Sequence, residues 1–242
     1  FIDTIIVTTT ILGGILIGRM LKMDRGIALL TSIGSGICGA AAILGAESTI
    51  QTKPYKTAVA VSTVVIFGTI SMFILYHNGT FVLSANEMGI FTGATLHEVA
   101  HTVGAGNAMG KEISDVAIIV KMIRVMMLVP VLLITSFMVS QPAIKAGEQN
   151  GSMKKVSIPW FAIGFLAVIG FNSFDLLPQS LTAFINVDTF LLTMAMTALG
   201  AETSIDKFRK AGAKPFVLAS ILYIWLIAGG YFLVKYMAPI FM

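Results

Sequence analysis

Residues His97-Glu98-Val99-Ala100-His101 fit the pattern H-E-x-x-H. On a helix that spacing places two imidazoles one turn apart on one face, where they can hold a zinc ion. Glu98 would then activate the metal-bound water. Gly104 falls where the longer form of the pattern has a glycine, but Asn107 stands where that form has its third histidine. A catalytic zinc needs three protein ligands and an open position for water, so the third would have to come from elsewhere. The chain contains no Asp-Gly dipeptide of the kind that intramembrane zinc proteases use, and Asp175, in Phe174-Asp175-Leu176-Leu177-Pro178, is the nearest substitute.

A second group lies in Val120-Lys121-Met122-Ile123-Arg124-Val125, where two cations three residues apart share a helix face. They could pair with Glu98 or Asp115 and hold helices together. They could equally attract an anion, with His97 and Glu98 as proton carriers or counter-charges. Asn172 could line a pathway or cap a helix end. Glu47 and Glu202 fall near the ends of apolar stretches.

These residues sit in an apolar setting: 56% of the 242 residues are hydrophobic and 12% are charged. Soluble domains carry about a quarter charged residues, so the composition specifies a polytopic membrane protein with the lipid bilayer as its solvent. One cysteine, Cys38, excludes a disulfide framework and a cysteine-built zinc site. Nothing in the charge pattern calls for nucleic acid. A bilayer core of about 30 Å takes roughly 20 apolar residues per helix. Eight segments qualify, near 4–19, 27–46, 56–76, 88–106, 113–139, 157–178, 185–201 and 215–238. If all eight cross, the side of Arg19, Lys22 and Arg25 holds ten basic residues. The other side holds four, Lys53, Lys56, Lys111 and Lys235, and the bias marks the ten-residue side as cytoplasmic.

Leu44-Gly45-Ala46-Glu47-Ser48-Thr49-Ile50 is echoed by Leu199-Gly200-Ala201-Glu202-Thr203-Ser204-Ile205, each followed by Lys-Pro and an aromatic residue. Small-residue segments precede both copies: Gly34-Ser35-Gly36-Ile37-Cys38-Gly39-Ala40 and Thr193-Met194-Ala195-Met196-Thr197-Ala198. Five spans apart, the copies would face opposite ways. Inverted repeats with interrupted segments at matching places point to a secondary transporter's binding site. The expected organisation is one transmembrane domain over 1–242. Residues 1–76 form a first repeat short of about two N-terminal helices, and 88–238 form the inverted second repeat. The expected substrate contacts are Gly36, Cys38, Gly39, Ala40, His97, Glu98, Lys121, Arg124, Asn172, Met196 and Thr197.

The sequence resembles the YeiH family of bacterial inner-membrane proteins over essentially its whole length. The resemblance rests on Gly36-Ile37-Cys38-Gly39-Ala40-Ala41-Ala42-Ile43, Gly93-Ala94-Thr95-Leu96-His97-Glu98-Val99-Ala100, Val120-Lys121-Met122-Ile123-Arg124, Pro159-Trp160-Phe161 and Met194-Ala195-Met196-Thr197-Ala198-Leu199-Gly200. It implies a sulfate exporter without a cofactor. It also implies an all-helical fold like that of bile-acid-sodium symporters, in which two Gly/Ala-rich broken helices cross at mid-membrane. In that family the position of His101 is often glutamine, which argues against a zinc ligand. The reading is then a carrier of a small anion, sulfate or a sulfonate, coupled to H+ or Na+, with a homodimer compatible. The alternatives are an intramembrane zinc protease and a non-transporting membrane scaffold or sensor.

Overall fold

A computed structural model describes residues 1–50, 52–77, 83–145 and 212–241, with isolated helical positions between 164 and 197. Among the described residues the chain is entirely helical and contains no strand. In chain order the helices are α1 (Ile2–Met20), α2 (Arg25–Gly36), α3 (Ala40–Ile50), α4 (Pro54–His77), α5 (Ala85–Thr95), α6 (Val99–Met109), α7 (Lys111–Met126), α8 (Leu128–Lys145), α9 (Ala213–Ile224) and α10 (Gly230–Phe241). A π-helical turn, Trp225–Gly229, joins the last two into one rod. Among the described residues four pieces are long and apolar enough to cross a bilayer: Ile2–Met20, Pro54–Leu75, Lys111–Ser136 and Ala213–Ala238. The third is interrupted at Met127, between α7 and α8. Pro130 has no N–H for the carbonyl one turn back, so the helix loses a rung there.

The segment read as a crossing at 27–46 does not cross. Its glycine-rich centre breaks as expected, at Ile37–Gly39, where Gly39 takes φ +70. Beyond the break, however, the chain doubles back. Gly34 packs on Ile43, and Gly26 packs on Thr52 and Lys56, so α2 and α3 run antiparallel and return to the side they left. Lys56 at the start of α4 bonds Asp24 at the start of α2 at 2.8 Å, closing the base of the hairpin. A twelve-residue helix rises about 18 Å, roughly half the bilayer core. Thus α2–α3 is a re-entrant hairpin.

The stretch 88–106 was expected to be one span and is a second hairpin. It opens on a capping box, in which Ser84 Oγ accepts from the Glu87 N–H and the Glu87 carboxylate accepts from the Ser84 N–H. It then breaks at Leu96–Glu98 in extended backbone. Gly89 and Gly93 pack on Val116 and Val120 in parallel register with α7. Gly106 of α6 instead meets Ser114 at the start of α7, across the turn at Gly110. Since α5 runs with α7 and α6 runs against it, α6 also turns back at the break.

The two hairpins enter from opposite sides. On one side, Ala46 of α3 joins Leu128 and Leu132 of α8 in a core cluster with Leu30, Ile33 and Ile43. On the other, Met88 and Phe91 of α5 and Ala105 of α6 cluster with Leu75 of α4 and Val234 and Ala238 of α10. Re-entrance also moves Lys53 and Lys56 across the membrane from their expected side. Among the described residues Arg19, Lys22, Arg25, Lys53, Lys56, Lys145 and Lys214 now share one side, against Lys111 and Lys235 on the other. The basic bias is sharper than the eight-crossing count produced. The proposed repeat is not comparable, because its second copy, 199–205, lies outside the described residues.

Asp24 also caps α2, its Oδ1 accepting from the N–H groups of Gly26 and Ile27 at 2.9 and 3.2 Å. The Lys56 hydrogen bond holds its carboxyl below the usual carboxylate value. A lowered value stabilises the fold above the ordinary carboxylate range, and that contribution fades as pH falls through the folded-state value. Asp24→Ala is expected to lose about 1 kcal/mol of stability at neutral pH. The gap in melting temperature between it and the wild type should shrink as pH drops towards the acid range.

Candidate functional site: two hairpin tips stapled at mid-membrane

Two helices ending at mid-depth leave their last carbonyls without intrahelical partners, and lipid supplies none. Non-helical backbone at that depth survives only inside protein. Here α7 crosses between the tips and carries Lys121 and Arg124 to the required height. Lys121 Nζ donates to Ile37 O at 3.0 Å, Leu96 O at 2.6 Å and His97 O at 2.8 Å. Arg124 Nε donates to Gly36 O at 2.7 Å and Nη2 to Ser35 O at 2.9 Å. Its Nη1 donates to Ala94 O, and to Leu96 O at 3.3 Å. Both side chains are fully buried. The two cations therefore cap the negative ends of α2 and α5 together, as the helix dipole favours.

The expectation for this pair is revised in one respect. Their donors go to backbone carbonyls, not to Glu98 or to Asp115, which is exposed. All three protons of the ammonium are engaged, and four of the five guanidinium N–H groups. Little is left for an anion to bond directly. The pair supplies positive potential and holds the tips.

Past each break a new helix begins, and its N-terminus faces inward. At α3 the Ala40 N–H donates to Glu98 Oε1 at 3.3 Å, so the tip of one hairpin caps the other. Glu98 Oε2 lies 4.0 Å from His101 Nδ1 in the first turn of α6. His101 Nε2 lies 3.4 Å from Thr69 Oγ1 of α4. His97, Glu98 and His101 are 1%, 5% and 5% exposed, and the Nδ1 atoms of both histidines have no hydrogen-bond partner. Two glycines make this possible. A Cβ at Gly39 would collide with Glu98 Cγ, and one at Gly68 would stand 2.8 Å from His101 Nδ1. Gly36 lies against Ile11 and Val7 of α1, and the Cys38 thiol is buried in the break.

The H-E-x-x-H reading required one helix to carry both imidazoles. His97 and Glu98 lie instead in the break and only His101 is helical, so the one-face spacing is absent. Among the described residues no three His, Cys, Asp or Glu side chains come together as a ligand set, and Asp175 lies outside them. Of the other expected contacts, Gly36, Cys38, Gly39, Ala40, His97, Glu98, Lys121 and Arg124 meet at the tips. Thr197 lies on an exposed helical turn, its hydroxyl donating to Thr193 O. Asn172 and Met196 lie outside the described residues. Thr69 and Gly68 escaped the sequence reading. A glycine in an otherwise unbroken apolar helix was the available signal.

A family model described as "Conserved hypothetical protein 698" matches residues 1–219. The chain belongs to this family. A UPF0324 membrane protein of Bacteroides thetaiotaomicron is 72% identical over 245 residues, covering 100% of the chain and 73% of that protein. One from Pseudomonas putida is 46% identical over 234 residues, covering 95% and 66%. The UPF0324 inner membrane protein YeiH of Escherichia coli is 43% identical over 234 residues, again covering 95% and 66%. No solved structure matches. With its apolar crossings and these relatives, the chain is a multi-pass protein of the bacterial inner membrane.

Removing either cation strands buried carbonyls of both tips. Lys121→Met, which keeps the stem and loses three donors, is expected to lower stability by about 3 kcal/mol or more. Arg124→Lys keeps the charge but cannot span Ser35, Gly36 and Ala94 at once, so it should lose about 2 kcal/mol. Thermal unfolding in one detergent, beside the wild type, reads both.

Proposed function

We propose that this family member is a secondary transporter of a small anion, moving sulfate or an organic sulfonate by alternating access and acting as a carrier, not as an enzyme. The observation that carries the reading is the meeting of two re-entrant tips from opposite sides. Their outgoing helices, α3 and α6, begin at mid-membrane beside two buried cations. Broken helices whose positive ends converge at the midplane are a recurring way of binding anions in carriers. A scaffold has no need of unsatisfied imidazole nitrogens at that depth, since buried polar groups without partners are costly. The inverted repeat of 1–76 and 88–238 belongs to this reading too, with 193–198 as the counterpart of the 34–40 break.

The test uses the full-length protein in proteoliposomes. Labelled sulfate should enter saturably, unlabelled sulfate or methanesulfonate should compete, and vesicles bearing the Lys121→Met protein should be silent. In detergent, sulfate at about 100 times its dissociation constant should add about 2.7 kcal/mol to stability. Absence of saturable flux for every sulfur oxyanion offered, by protein that is folded, refutes the reading.

A further inference from the structure

The carboxylate of Glu98 sits where an anion would bind. We propose that Glu98 is the proton-coupling residue of the site: its carboxylate holds the α3 N-terminus in place of the substrate, and an arriving anion displaces it as Glu98 takes up one proton. The inference rests on the carrier reading above. It goes further by naming the coupling ion and the residue that bears it.

The geometry is that of an occupied anion site. Ala40 N–H, the first donor of an eleven-residue helix, points at Glu98 Oε1. Gly39 has no side chain where Glu98 Cγ and Cδ lie, with Oε1 3.0 Å from the place its Cβ would take. The carboxylate therefore fills the room beside the helix end. The hold is weak, since the helix end offers one bond at 3.3 Å. Beside it stands His101 Nδ1, 4.0 Å from Glu98 Oε2, more than nine-tenths buried and without a partner. An oxyanion with several acceptor oxygens could bond His101, with its ring in the Nδ1–H tautomer, as well as the Ala40 N–H, which the carboxylate does not do here.

The groups facing Glu98 can be named from each side. His97 and His101 belong to its own hairpin. The opposite tip presents the Ala40 N–H and the Cys38 thiol. From α7 comes Lys121, and on the far side of His101 α4 presents Gly68 and Thr69, neither of which titrates. Asp3 of α1 is buried within electrostatic reach of the two cations. Two negative groups cannot share one helix end at this depth without a steep penalty. Protonation converts the carboxylate to a carboxylic acid, taking one proton from water on the open side and removing the competitor. When the anion leaves, Glu98 returns to Ala40 and its proton departs. Anion and proton travel together, one for one.

Sulfate does not itself titrate near neutrality, so any pH dependence of its binding belongs to the protein. Full-length wild type, Glu98→Gln and His101→Gln are titrated with sulfate between about pH 6 and pH 8, with melting temperature as the readout. The expected result is an apparent dissociation constant that rises about tenfold per pH unit in the wild type and in His101→Gln. In Glu98→Gln, which keeps the shape without the charge, it should be constant and as low as the wild type's at the acid end. A flat profile in a wild type that binds sulfate overturns the coupling and leaves the carrier reading standing. So does a slope kept in Glu98→Gln and lost in His101→Gln, which puts the proton on the imidazole. Binding of neither sulfate nor methanesulfonate to any of the three overturns both.

Discussion

Seven hydrogen bonds from Lys121 and Arg124 to the carbonyls of residues 35–37, 94, 96 and 97 hold the centre of this protein. A helix that stops at mid-bilayer has a problem at its C-terminus that water solves at a surface and lipid cannot solve at all. Each tip presents that problem, and one face of α7 answers both. Charged donors are suited to it, since a bond from an ionised group contributes about 1.5–3 kcal/mol where a neutral one contributes about half that. The carbonyls in turn solvate the two cations, which would otherwise be costly at this depth. Cations and carbonyls are buried because each makes the other tolerable.

Around the staple, close approach is set by small residues. Gly34 lets α3 fold onto α2, and Gly93 lets α5 lie on α7. Gly230, just past the π-turn, allows α10 to touch Thr95 at the end of α5. Membrane helices gain little from the hydrophobic effect against one another and pack instead through such small-residue contacts. At Gly39 the requirement is conformational as well, because its positive φ starts the return of the hairpin and disfavours any side chain.

Much of this was legible in the sequence. The four crossings lie where apolar length put them, and the glycines at 34, 36 and 39 marked a break. Lys121 and Arg124 were legible as an inward pair, since charges at depth turn away from lipid. Their partners were not, because every residue owns a carbonyl and no letter in the sequence marks one as stranded. Re-entrance was hidden for a related reason. Two half-length helices placed end to end have the apolar length of one crossing, so hydropathy counts them alike. The one clue was electrostatic: Lys53 and Lys56 fell on the wrong side until the hairpin brought them back beside Asp24. The break at Leu96–Glu98 contains neither glycine nor proline, and His97 and Glu98 mimic a helical zinc motif so well that a continuous helix looked natural.

The distribution of bonds also sets where this core is strongest and where it is weakest. Lys121 and Arg124 each bond both tips, so drawing either tip away from α7 breaks three or more charge-assisted bonds at once. Among the described residues the one hydrogen bond between the tips that bypasses α7 is that from the Ala40 N–H to Glu98. A junction with a strong spine and one weak seam opens at the seam. The two hairpins and α7 then behave as a unit whose tips part by a small local shift. Around it, α1 and the α9–α10 rod pack on this unit through apolar side chains and glycine contacts, whereas α4 is also tied to it by the Lys56–Asp24 ion pair and the His101–Thr69 contact. On that view the charge on Glu98 controls the weakest joint in the membrane-buried core. A carboxylate placed there has leverage that the same group on any other helix face would lack.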